Sequence, residues 1–102
     1  STEVDFLKIT SYEVDKLNDP TGIITGDRYE FLLGLEVPED DELFDENNSL
    51  DLRVILVVEE TEARIVQYHF LNRSNGKVLD FGLEDEEEAV VLAFCKEHYN
   101  SK

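Results

Sequence analysis

Apolar and polar positions alternate with a period of two over most of the chain and shift to helical spacing only near its end. Successive side chains of a strand point to opposite faces, whereas a helix repeats every 3.6 residues, so this change separates a strand region from a helix. Tyr29, Phe31, Leu33, Leu35 and Val37 recur every second residue against Glu30, Leu32, Gly34 and Glu36. The pattern predicts a strand with one strongly apolar face, ended by Pro38. A less tidy strand is expected before it, with Phe6, Lys8, Thr10, Tyr12 and Val14 on one side and Leu7, Ile9 and Ser11 on the other. Asn18-Asp19-Pro20-Thr21-Gly22 and Thr25-Gly26-Asp27 punctuate the interval as turns, since Pro fixes φ and Gly accepts a positive one.

Leu50 to Glu59 places Leu52, Val54, Leu56 and Val58 opposite Arg53, Ile55 and Val57, so both faces are apolar around Ile55 and Val57. That pattern predicts a central strand covered on two sides. Glu60-Thr61-Glu62-Ala63 reads as a hairpin turn, followed over Arg64 to Asn72 by a strand with Val66, Tyr68 and Phe70 inward and Gln67 and His69 outward. Asn75-Gly76 signals a hairpin of type I′, which needs positive φ at both residues. A short strand is expected over Val78 to Leu83, with Leu79, Phe81 and Leu83 on one face. The helix follows. Asp85 and Glu88 have the spacing of a capping box, Glu84 to Glu88 place negative charge at the positive end of the dipole, and Lys96, His98 and Lys102 stand near the other end. The apolar run Ala89 to Cys95 is wider than one stripe and predicts burial over much of the helix circumference. The whole reads as one α+β domain over residues 1–102, an antiparallel meander of about five strands with a C-terminal helix packed on one face.

Charge narrows the partners. The 102 residues hold 25 Asp and Glu against 9 Lys and Arg, for a formal charge of −16. The basic residues are scattered singly, whereas nucleic-acid binding rests on clustered cations, and an anionic membrane surface repels such a chain. Nucleic acid and membrane are therefore not expected partners, and a basic protein surface is. Cys95 is the lone cysteine, which rules out an internal disulfide and a cysteine-based zinc cluster. The start of the sequence has no basic region followed by an apolar stretch, and the expected setting is cytoplasmic.

Candidate chemistry is sparse. The segment Pro38 to Ser49 carries Glu39, Asp40, Asp41, Glu42, Asp45 and Glu46, and oxygen-rich loops attract calcium. An EF-hand loop needs Gly at its sixth position and Glu at its twelfth; counting from Asp45 these are Leu50 and Leu56, and from Asp41 they are Glu46 and Leu52. Neither register fits. Cys95 and His98 stand three apart on the expected helix, but two ligands do not make a structural zinc site. His69, beside Tyr68 and Phe70, has no nucleophile at a telling spacing, and a cross-strand carboxylate is its expected partner. Gly22 and Gly26 match neither a phosphate-binding loop nor a dinucleotide fingerprint. No catalytic residue, metal site or cofactor follows, and the chain is not expected to be an enzyme.

Two features are left for binding. Leu43 and Phe44 interrupt the acidic run Glu39-Asp40-Asp41-Glu42, which offers apolar anchors within a negative surface, the composition of an interaction site for a basic partner. The alternative is a small-ligand or enzymatic module with a pocket between sheet and helix lined by Tyr29, Tyr68, His69 and Phe81. Either a monomer or a homodimer formed through a strand edge suits the pattern. Finally, Asp19-Pro20-Thr21-Gly22-Ile23-Ile24-Thr25-Gly26-Asp27-Arg28-Tyr29-Glu30-Phe31, Val37-Pro38-Glu39-Asp40-Asp41-Glu42-Leu43, Arg64-Ile65-Val66-Gln67-Tyr68 and Phe94-Cys95-Lys96-Glu97-His98 resemble an uncharacterised family of small acidic domains from Bacillus-type bacteria. Members of that family sometimes carry a pullulanase label. The resemblance implies no catalytic residues, and a debranching barrel of about 250 residues does not fit in this length.

Overall fold

The computed structural model describes residues 8–18, 26–36, 50–60, 62–80 and 82–100. Five strands, β1 (Lys8–Leu17), β2 (Asp27–Glu36), β3 (Leu50–Glu59), β4 (Glu62–Asn72) and β5 (Val78–Leu79), precede one helix, α1 (Asp85–His98). The strands form a single sheet in chain order β1-β2-β3-β4-β5, and each neighbouring pair is antiparallel. Chain order is what short connections between antiparallel neighbours produce. The sheet is thus mostly antiparallel β with one helix at its end, as the change of period predicts.

Residues paired directly across strands share a face of the sheet. The register therefore sorts the side chains into two sets. One face carries Val14, Phe31, Val54 and Tyr68 in one row, and Tyr12, Leu33, Leu52 and Phe70 in the next. This is the apolar face. Phe31, Leu33, Leu52, Val54, Leu56 and Phe70 are fully or almost fully buried there. Val91 and Cys95, four residues apart on α1, belong to the same buried cluster, and Leu92, Phe94 and Tyr99 pack against it. Burying a Leu or Phe side chain contributes roughly 1.5–3 kcal/mol, so this cluster is the main source of stability.

Three local departures from simple alternation have physical causes. Ile9 pairs with Leu35 while Ser11 pairs with Gly34, so Thr10 is an extra residue in β1 and its hydroxyl donates to the Gly34 carbonyl at 3.2 Å. A bulge shifts the face of everything beyond it, which brings Ile9 to the apolar side and breaks the expected grouping of Lys8 and Thr10 with Tyr12. A second bulge falls in β4, where Ile55 pairs with Gln67 and Leu56 with Ile65. Val66 is the extra residue, left 37% exposed, and Ile65 takes the inward place expected of Val66. The hairpin after β4 is also not a type I′ turn. Gly76 has φ +72°, but Asn75 does not have positive φ. Instead the Asn72 carbonyl accepts from the N–H groups of both Asn75 and Gly76, and the Asn72 N–H donates to the Lys77 carbonyl. That is a four-residue loop with Gly in its left-handed position.

The end of the chain differs in two further respects. β5 is confined to Val78–Leu79, shorter than the expected strand, and Leu83 instead donates its N–H to Tyr68 Oη at 2.8 Å. The helix cap lies one residue earlier than the spacing of Asp85 and Glu88 suggests: Glu87 Oε1 accepts the Glu84 N–H at 2.9 Å. Burial of α1 is also narrower than expected. Val91 and Cys95 are buried, whereas Ala89 and Ala93 are exposed.

Candidate functional site

The face opposite the core is built from charged and polar side chains. Its rows read Leu17, Arg28, Val57 and Arg64; then Asp15, Glu30, Ile55 and Gln67; then Glu13, Leu32, Arg53 and His69; then Ser11, Gly34, Asp51 and Leu71. Ile55 and Val57 are buried at its centre, as their place in the middle strand leads one to expect. Their register neighbours are long side chains, whose aliphatic stems cover apolar surface while their charged ends reach water.

Cations on the sheet are engaged by nearby carboxylates. Arg53 Nε donates to Glu30 Oε2 on the neighbouring strand. Arg73, just past β4, donates from Nε and Nη2 to Asp51 Oδ1 at 2.8 and 2.6 Å. Its Nη2 also donates to the Leu50 carbonyl at 3.4 Å. The hydrogen bond to Asp51 raises the Arg73 pKa, so the guanidinium stays charged. Arg73 reaches this place because Gly34 has no side chain: a Cβ there would lie 2.4 Å from Ser11 Oγ and 3.0 Å from Arg73 Nη2. Lys8 lies 3.8 Å from Glu36, Lys16 3.7 Å from Asp27 and Arg64 4.0 Å from Glu59. Such exposed pairs contribute little individually, about 0–1 kcal/mol each. What matters is which acids they leave. Among the described residues, no ion pair involves Glu13 or any of Glu84, Asp85, Glu86, Glu87 and Glu88.

The residues proposed for a pocket divide between the two faces. Tyr29 pairs with Leu56 and Tyr68 with Val54, which puts both on the apolar face. Tyr29 meets Tyr99 edge to face at 5.1 Å, and Tyr68 Oη accepts from Leu83. His69 pairs with Arg53 and lies on the charged face, with its Nε2 2.8 Å from the Gln67 amide nitrogen rather than a carboxylate. Alternation within one strand separates Tyr68 from His69, a constraint already present in the sequence. Phe81, and the loop residues Glu39, Asp40, Asp41, Glu42, Leu43 and Phe44, lie outside the described residues.

Cys95 and His98 do not form a reactive pair. Cys95 is fully buried, and desolvation pushes its thiol up to about 12, far from the range of an activated nucleophile. His98 stacks on Phe94 at 4.1 Å and contacts the Tyr12 ring at 4.7 Å, with Nδ1 2.7 Å from the Phe94 carbonyl oxygen. This aromatic contact joins the end of α1 to the edge strand β1. The sequence reading missed it because Tyr12 and His98 are distant in the chain. Among the described residues, no group of three or more His, Cys, Asp or Glu is placed to hold a metal, and no helix is long and apolar enough to cross a membrane.

No curated protein and no solved structure matches the chain. A family model does, over residues 7–102, a span that takes in all five strands and the helix. The chain belongs to that family, DUF6509, a family of unknown function.

Proposed function

We propose that this chain is a non-enzymatic interaction domain that takes a basic protein partner on its acidic exterior, with α1 packed over the apolar face of the sheet. The observation that carries the reading is the distribution of charge. The sheet's own Lys and Arg are engaged by Glu30, Asp51, Glu36, Asp27 and Glu59, while Glu13 and the first turn of α1 keep carboxylates without an ion pair among the described residues. A net charge of −16 steers cationic surfaces toward such a body and repels anionic ones. The residues expected to anchor the partner are Leu43 and Phe44 within Glu39-Asp40-Asp41-Glu42. The shared cluster that holds Val91, Cys95 and the strand side chains supports the placement of α1.

The test is affinity capture with the native chain and a Leu43→Ala/Phe44→Ala variant, read at low and high salt. A specific basic partner should be held at low salt, weakened as salt rises, and lost with the double variant. Capture that is indifferent to both salt and the substitutions would refute the reading.

A further inference from the structure

The two lateral edges of the sheet are not equivalent. β5 pairs only with Phe70 and Leu71, and the bulge at Val66 interrupts the remaining edge of β4. At the other side, β1 pairs with β2 among the described residues, and beyond its bulge the stretch Ser11 to Leu17 runs without irregularity. A regular edge offers a row of backbone donors and acceptors that can take a further strand, and the facing side chains decide which strand it accepts.

A second copy is the first occupant to consider. Two copies joined edge to edge about a two-fold axis normal to the sheet pair antiparallel with their faces continuous, so the axis must pass beside a residue of β1. Registers that overlap most of Ser11 to Leu17 are centred on Glu13, Val14 or Asp15. The first sets Glu13 opposite Glu13, the second Glu13 opposite Asp15, and the third Asp15 opposite Asp15. Like charges directly across a ladder destabilise it. Every such register carries this penalty, and the exposed side chains of Glu13 and Asp15 would line the junction.

We propose that the β1 edge is a docking strip for an extended segment of another protein with Lys or Arg at alternate positions, and that it is guarded against pairing with its own copy. The proposal rests on the reading of the chain as an acidic interaction domain and specifies where and how the partner lies. Backbone hydrogen bonds would supply affinity, and cations aligned with Glu13 and Asp15 would supply selectivity.

The experiment uses the full chain and a capped peptide of alternating Lys and Val, about eight residues long, with an equally charged Lys and Pro peptide as control. Amide hydrogen exchange should show new protection confined to Ser11–Leu17 with the first peptide and none with the second, because Pro cannot donate to a ladder. Glu13→Lys, an exposed substitution whose fold is checked by circular dichroism, should weaken binding about fivefold or more. In the register centred on Val14 the same substitution sets opposite charges across both Asp15 positions, so the variant should dimerise in light scattering while the parent does not. Peptide binding that leaves Ser11–Leu17 unprotected overturns the docking strip but leaves the acidic-domain reading standing. Absence of binding by any basic peptide at low salt overturns both.

Discussion

Gly26 shows how strictly one residue can be constrained where a loop enters the sheet. Its φ is +82°, and a Cβ built on it would lie 2.5 Å from Glu59 Cγ and 2.9 Å from the Val58 carbonyl oxygen. The Glu59 side chain can move aside, but the backbone carbonyl cannot. Gly76 has nearly the same dihedral, φ +72°, with nothing within 4 Å of the equivalent position. The pair separates conformational strain from steric overlap. Gly76→Ala should cost about 1–2 kcal/mol, the ordinary penalty for a left-handed residue with a side chain. Gly26→Ala should cost about 1–3 kcal/mol more through overpacking, and urea unfolding of the two variants measures the difference. Equal losses would mean that the contact with Val58 relaxes freely. The turn at Gly26 was legible from Thr25-Gly26-Asp27, but the approach of β3 was not, because it depends on a pairing between distant segments.

Among the elements, sequence reading succeeded where alternation was uninterrupted and failed where one residue was added. β2 and β3 follow their predicted faces because no residue between Asp27 and Glu36, or between Leu50 and Glu59, breaks the period. The bulges at Thr10 and Val66 each exchange which residue turns inward, and nothing in the local pattern announces them. At Val66 the run Ile65-Val66 supplies two β-branched residues of similar preference, so only the partner strand decides which is buried. The helix start posed a related ambiguity, since the acidic run Glu84 to Glu88 contains several pairs three residues apart. The structure selects Glu84 and Glu87. Glu87→Ala should therefore lower stability by about 0.5–1 kcal/mol while Glu88→Ala changes it far less, a comparison readable by thermal unfolding. A larger effect at Glu88 would favour the cap at Asp85. The narrow burial of α1 has the same lesson: Val91 and Cys95 face the sheet, and the adjacent apolar residues cover only its margins.

For the whole molecule, the sheet divides the chemistry into two sides. One side takes the large apolar groups and the buried face of α1; the other takes Arg28, Arg53 and Arg64, with Arg73 drawn over Gly34 to Asp51. The internal pairing of these cations leaves the negative excess on β1 and at the start of α1. The proposed grouping of Tyr29, Tyr68, His69 and Phe81 was read from residue type alone, and the alternation that sends Tyr68 and His69 apart shows why face assignment must precede any argument about a pocket. The acidic exterior was legible from composition; its relation to the sheet edge required the register. The most direct measurement is amide hydrogen exchange of the full chain with and without its captured basic partner. The account predicts protection at Ser11–Leu17, at the segment around Leu43 and Phe44, or at Glu84–Glu88, with all of it released as salt is raised. Protection confined to the Arg-bearing face around Val57 and Arg64, and unchanged by salt, would contradict it.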